Sequence, residues 1–334
     1  MNLPELTDAA QVQSLIADAH YAGPFARAYI ALCIAVFSGD PTTIQHAIEA
    51  VPGVANGEWK CSWGPSFDPD GSNLAAIATL CLTATNTPLL NVVVVRATDP
   101  ADGTWLGDIE QIIEDLGVLK QVPLPWLDDS HPARIAAGTS LGLEVVKNLR
   151  DRSGVSITDY LRGTQTGPVQ DRPAIMVTGH SLGGCLTSVV APWLVDALKD
   201  VSPPPFTGAV SFAGPSAGNA DFATYLGTTL DIFVRYYNTL DVIPNWWDQL
   251  DATNTIYRPY GVETPIGLII TDDLFAAIDP KYEQPSPGQM LSGAFANALS
   301  WKEEAELQHH ASTYLSLLGV AYPIKDGEPG QGQC

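Results

Sequence analysis

The chain is short of positive charge, of cysteine and of long apolar runs, and each shortage excludes something. Lysine and arginine number 16 against 37 aspartates and glutamates, a formal charge of −21. A field of that sign repels phosphodiester backbones and anionic headgroups, so nucleic-acid binding is excluded as a main role, and the same charge favours solubility. The longest apolar stretches, Ala28–Phe37 and Leu89–Val95, fall short of the roughly 20 residues a membrane helix needs, so no integral membrane segment is expected. The five cysteines (Cys33, Cys61, Cys81, Cys185, Cys334) are odd in number and widely spaced, and neither C-x-x-C nor H-E-x-x-H occurs. That pattern speaks against a metal centre and against a disulfide framework, with room for one bridge at most, and no cofactor is expected. The stretch Met1–Asp18 has no Lys or Arg ahead of an apolar run. No secretory signal is therefore visible, which leaves the cytoplasm by default or secretion of an already processed form.

What is present can build a large core. Hydrophobic residues make up 46% of 334 positions, with 8 Trp, 11 Tyr and 9 Phe, a composition that excludes disorder over most of the chain and suits one large domain with appendages. Residues 5–50 read as helical, and residues 1–50 are expected to form an N-terminal helical extension packed on the core. Strands are expected at Trp59–Trp63, Leu74–Ala84, Leu90–Val95, Ala174–Thr178, Gly208–Phe212 and Ile232–Tyr237. Helices are expected at Trp105–Gly117, Ala133–Arg150, Ser181–Lys199 and Glu303–Leu318. Asp68–Gly71 reads as a turn rather than a calcium loop. Strands alternating with helices predict an α/β fold, a mostly parallel central sheet flanked by helices on both faces. The Gly- and Pro-rich end, 325–334, reads as a flexible tail.

The sharpest chemical signal is Gly179-His180-Ser181-Leu182-Gly183, directly after one predicted strand and directly before a predicted helix. A tight strand-to-helix turn forces the central residue into a strained conformation, glycines remove the Cβ atoms that would clash, and the serine hydroxyl is left at a helix N-terminus that favours developing negative charge. A serine hydroxyl is a weak nucleophile and needs a base oriented by a third group. After Ser181 the only histidines are His309 and His310. His180, beside the nucleophile, should point its side chain away from that of Ser181. The acid belongs just past the C-terminal end of a later strand, which selects Asp241 after Ile232–Tyr237 over Asp231, Asp248, Asp251 and Asp272.

These residues resemble the class 3 lipases, the filamentous-fungal triacylglycerol lipase group of the α/β-hydrolase superfamily, over most of residues 55–320. The family's strand followed by Arg-Gly-Thr or Arg-Gly-Ser is similar to Val93–Thr98, and its Trp-x-x-Asp to Trp105 and Asp108. Its F-x-x-P-x-x-G-N-x-x-F resembles Phe212–Phe222, and its N-x-x-D-x-(V/I)-P resembles Asn238–Pro244, which supports Asp241 a second time. The family's H-x-x-x-x-Y-L is met by His309 with Tyr314 and Leu315, whereas His310 is one residue short. The resemblance thus implies a class 3 lipase-like domain over 51–324 with the triad Ser181, Asp241 and His309. It also implies an oxyanion hole made by the backbone N–H groups of Leu182 and Thr98. Ala97 stands where the family has Gly, so the oxyanion loop is expected to differ if that glycine serves positive φ or close approach. The segment Asp99–Thr104, where fungal relatives carry a lid, is short and polar, so little interfacial activation is expected. Trp246 and Trp247 are candidate substrate-binding residues lining an acyl groove. The expected activity is a carboxylic-ester hydrolase, a lipase or esterase working through an acyl-enzyme. Its partners would be an ester or lipid substrate and transient contact with a lipid interface. The competing readings are a catalytically weak or inactive binding protein of the same fold, and an acyltransferase.

Overall fold

The dense β-branched run Leu90–Val95 lies in a strand of a seven-stranded sheet and is buried on both of its faces, as its lack of alternation requires. The computed structural model describes residues 3–18, 22–69, 71–97, 117–265, 281–285, 288–298 and 300–319. The sheet contains β1 (Gly57–Phe67), β2 (Leu74–Leu82), β3 (Pro88–Arg96), β6 (Ala174–His180), β7 (Thr207–Phe212), β8 (Ile232–Asn238) and β9 (Gly288–Leu291), in the order β1-β2-β3-β6-β7-β8-β9. The first three strands pair antiparallel and the rest run parallel to β3. A separate two-stranded ladder joins β4 (Gln121–Pro123) to β5 (Arg134–Ala136). The mostly parallel sheet is as the sequence predicts; β4, β5 and β9 are too short and too polar to show the pattern of a strand.

The period-two alternation of the strands divides the core. Leu74, Ala76, Leu90, Val92 and Met176 join one buried cluster, and Ala75, Ile77, Val93, Val95, Ile175 and Val177 join another. The first is closed by α1 (Ala9–Ala17), α2 (Ala22–Ala35) and α3 (Pro41–Glu49). The N-terminal helices therefore share their core with the sheet. The second is closed by α4 (Ala137–Asn148), α5 (Ile157–Thr164), α6 (Leu182–Ala197) and α7 (Ala220–Thr229). A third cluster at one end of the sheet gathers Leu240, Val242, Ile243, Trp246, Trp247, Tyr257 and Trp301, the last on α9 (Trp301–His309).

Two predicted helices differ. The one expected from Ala133 starts instead as strand β5. The Asn219 side chain accepts the Arg134 N–H at 3.0 Å and the Asn219 N–H bonds the Arg134 carbonyl at 3.1 Å, so tertiary pairing overrides local helix preference there. The closing helix is broken at His310, whose ψ of 137° separates α9 from α10 (Ala311–Leu317). His310 Nδ1 accepts the Ser312 N–H at 3.3 Å and caps the second helix. The break makes His309 the last residue of α9. The predicted helix at Trp105–Gly117 (apart from Gly117) and the tail 325–334 lie outside the described residues.

Candidate active site

Ser181 sits between the central strand β6 and α6 at φ 62° and ψ −126°, a left-handed conformation that costs a side-chain-bearing residue free energy. Two glycines make the turn possible. A Cβ on Gly179 would lie 2.3 Å from the Gly183 carbonyl oxygen, and one on Gly183 would lie 2.4 Å from that of Val95. The turn is pinned by the Ser181 N–H on the Phe212 carbonyl at 2.9 Å and the Cys185 N–H on the Ser181 carbonyl at 3.0 Å. Leu182 follows as the first residue of α6, where a backbone N–H has no intrahelical acceptor and points outward.

The sequence-predicted triad residues are brought together. His309 Nε2 lies 2.8 Å from Ser181 Oγ, and His309 Nδ1 lies 2.8 Å from Asp241 Oδ2. His310, one residue on, is exposed and its Nδ1 is 2.6 Å from Ser312 Oγ. Asp241 is 1% exposed. A carboxylate that deep must be compensated by hydrogen bonds. The Ile243 N–H donates to Oδ1 at 3.0 Å, and Oδ2 accepts the Tyr314 hydroxyl at 2.7 Å besides facing His309.

The sequence reading missed three groups around this series. Tyr314 served only as a spacing mark for the histidine, yet its hydroxyl donates to Asp241 and accepts the Asn238 N–H at 3.0 Å. Burial, and next the charge of Asp241, push this phenol well above its ordinary value, so it stays protonated and remains a donor. His180 packs its ring 4.9 Å from that of His309 and edge-on to Tyr314 at 5.5 Å. Burial holds His180 well below the ordinary histidine value, the neighbouring His309 and His310 adding to the effect. Gln308, Asn238 and Glu304 form a buried polar network beside the base. The signal for all three lay in the motifs: a Tyr five residues after the base, a His inside the elbow, and the Asn opening N-x-x-D.

Trp246 and Trp247 are 1% and 7% exposed and pack on each other, ring centroids 5.2 Å apart, inside the third core cluster. A groove that reaches Leu182, the residue after the nucleophile, is lined by other residues. It has a volume of about 200 Å³ and lies between α4 and α6, with Leu141, Gly142 and Val145 on one side and Leu182, Cys185 and Leu186 on the other. Leu141 is one of the exposed large hydrophobic side chains. Ala97 borders the same groove and is not among the residues with positive φ. Thr98, Trp105, Asp108 and the Asp99–Thr104 segment lie outside the described residues. Among the described residues no group of histidines, cysteines and carboxylates could hold a metal ion, and no helix is long and apolar enough to cross a membrane.

A serine, an imidazole and a carboxylate thus stand in series at the C-terminal edge of a mostly parallel sheet, on the α/β-hydrolase fold. Residues 145–249 match the family Lipase (class 3), and this stretch carries both Ser181 and Asp241 and ends before His309. The resemblance to class 3 lipases drawn from the motifs is borne out over that segment. The solved structure of M37 lipase matches with a TM-score of 0.72 at 24% identity, over 89% of this chain and 92% of that one, a likeness of fold. A triacylglycerol lipase from Penicillium expansum matches at 14% identity and a TM-score of 0.47, over 91% of each chain. Lipase II from Rhizopus niveus matches at 21% identity and a TM-score of 0.45, over 73% of this chain and 77% of that one. No curated protein matches the chain.

Proposed function

We propose that the protein is a serine carboxylic-ester hydrolase of the lipase and esterase type, acting through an acyl-enzyme. The observation that carries the reading is the unbroken series Ser181–His309–Asp241, with both links at 2.8 Å. In the first step His309 Nε2 takes the Ser181 proton as Oγ attacks the ester carbonyl carbon. His309 then returns that proton to the departing alcohol oxygen, leaving an ester on Ser181. Water enters, gives its proton to His309, and releases the acid by the same route reversed. Asp241 fixes the Nδ1–H tautomer and stabilises the imidazolium. Tyr314 and the Ile243 N–H hold Asp241 in turn. The Leu182 N–H at the start of α6 is the oxyanion donor of the described chain, and Thr98 is its proposed partner.

The groove beginning at Leu182 is the natural path for the acyl chain, because the carbonyl oxygen and the chain leave the same carbon. The groove has a volume of about 200 Å³, and Leu141, Val145, Leu182 and Leu186 give it an apolar lining suited to an alkyl chain. Short-to-medium acyl esters are the proposed substrates. A formal charge of −21 favours neutral acylglycerols or soluble esters over anionic bilayers. Transient lipid-interface contact is part of this proposal.

The test is labelling with an organophosphonate carrying a short alkyl chain, followed by peptide mass mapping. The expected result is one adduct on the Ser181 peptide, loss of ester hydrolysis in step with labelling, and neither in Ser181→Ala. Unlabelled protein that hydrolyses no p-nitrophenyl ester would instead make this a binding protein on the same fold. Preference for alcohol over water as acceptor would make it an acyltransferase.

A further inference from the structure

Asp241 and His309 belong to elements 68 residues apart in the chain, so something must hold their backbones in register. The end of β8 and the last turn of α9 do so with polar side chains. Asn238 lies three residues before the acid. Its Oδ1 accepts the Leu240 N–H at 3.1 Å and its carbonyl accepts the Asp241 N–H at 3.0 Å, which shapes the acid's turn. Asn238 Nδ2 crosses to the residue before the base, donating to the Gln308 carbonyl at 2.9 Å and to Gln308 Oε1 at 2.8 Å. Gln308 Nε2 donates to Glu304 Oε1 and to the Ala294 carbonyl, both at 2.7 Å. Glu304 also accepts the N–H groups of Ala296 at 2.9 Å and Ala298 at 3.1 Å. Only one orientation of the Gln308 amide satisfies this arrangement, because the reverse would set oxygen against oxygen at two contacts. Glu304 is 0% exposed and Gln308 is 3% exposed. A buried carboxylate is a costly way to fill space, and here its hydrogen bonds are spent orienting one glutamine.

Building on the hydrolase reading above, we propose that Gln308, clamped by Glu304, is a positioning residue that sets the approach of His309 to Asp241 by tying the base's helix to the acid's turn. It touches no substrate and acts through the two residues it spaces.

The test uses the full chain and kcat per phosphonate-titrated site. Gln308→Leu removes the three side-chain hydrogen bonds, to Asn238, Glu304 and the Ala294 carbonyl, at similar size, and leaves the Gln308 carbonyl on Asn238 Nδ2. The expected loss in kcat is on the order of 10- to 100-fold, the scale for a displacement of about 1 Å, with KM changed less than about twofold. Gln308→Glu keeps the acceptor for Asn238 but sets a second carboxylate against Glu304, and the two must share a proton. Its kcat should approach that of the unmodified protein at low pH and fall as pH rises through a range where the unmodified protein is flat. A part limited to folding would lower the melting temperature yet leave kcat per titrated site and the pH profile unchanged, and that result overturns the proposal. Should Gln308→Leu not fold, the Gln308→Glu profile decides alone, and a flat one overturns it. Unmodified protein that neither hydrolyses esters nor takes the label sinks the hydrolase reading and this inference with it. Active unmodified protein with unaffected variants sinks this inference only.

Discussion

Replacing Tyr314 by Phe deletes one oxygen atom and asks how much the acid depends on it. The ring is fully buried and would stay, so no cavity forms and its edge-on contact with His180 survives. Two hydrogen bonds go: the one donated to Asp241 Oδ2 at 2.7 Å and the one accepted from the Asn238 N–H at 3.0 Å. A bond to a buried charge contributes about 1.5–3 kcal/mol, and an orphaned buried N–H adds a penalty of about 1–3 kcal/mol. The two overlap, so the expected cost is about 3 kcal/mol. At about 2.1 cal/mol/K per residue, unfolding a chain of 334 residues shifts by about 1.4 °C per kcal/mol, so the melting temperature should fall by about 4 °C. Asp241 loses one of its fixed donors, and kcat per titrated site should fall on the order of tenfold. Tyr257→Phe is the matched control. Its hydroxyl is buried nearby and donates at 2.7 Å, but to the neutral Leu240 carbonyl. It should cost about 1 kcal/mol and leave kcat within about twofold. The measurements are thermal unfolding and ester hydrolysis normalised by phosphonate titration. If Tyr314→Phe costs no more than Tyr257→Phe, or loses stability with kcat intact, the charge-assisted role of Tyr314 is wrong.

Three further outcomes are expected. His309→Ala should lower turnover on the order of 10³-fold or more while His310→Ala stays within about threefold, because only His309 reaches Ser181 Oγ; equal rates in the two variants would reverse the assignment. His180 is held well below its ordinary 6.5 by burial, so the folded protein keeps it neutral while the unfolded chain takes up a proton. Its contribution to stability is therefore lost as pH falls below about 6.5, at up to about 1.4 kcal/mol per pH unit. Urea midpoints across mildly acid pH should show a shallower slope in His180→Gln, and an unchanged slope would contradict this. Gly183→Ala drives a methyl group to 2.4 Å from a backbone oxygen and should cost both stability and activity, whereas Gly163→Ala, in α5 with open space around it, should stabilise by about 0.5–1 kcal/mol. Chemical denaturation separates the two, and a neutral Gly183→Ala would remove the packing argument for the elbow.

Much of the fold was legible because its signals are local. Val92–Val95 could be read as a doubly buried strand from its side chains alone. The elbow could be read because the serine's φ and the close approach to Val95 can be met only with glycine beside it. Elements stabilised by distant partners were not legible. Strand β5 exists because Asn219 and the 121–123 segment take its backbone bonds, and the break at His310 depends on a side-chain cap inside an otherwise helical pattern. The candidate acyl path shows the same divide. Two adjacent tryptophans after the acid suggested a groove, but an aromatic side chain carries no mark of whether it faces a core or an opening. These two share a buried cluster with Leu240, Tyr257 and Trp301, while the open groove is lined by Leu141, Gly142 and Val145 of one helix and Leu182, Cys185 and Leu186 of another.

The sequence by itself determined which atoms are available for chemistry: one strained serine, one carboxylate past a later strand, and two histidines near the end. Choosing between those histidines by spacing was possible because His and Tyr share one short segment. What only the tertiary structure decided is distance and support. Whether His309 stands 2.8 Å from both neighbours depends on how α9 seats against the turn after β8, and that seating rests on Asn238, Gln308, Glu304 and Tyr314. Contacts between segments some seventy residues apart leave no periodic trace in either one, because each side chain is selected by a partner that only folding brings within reach.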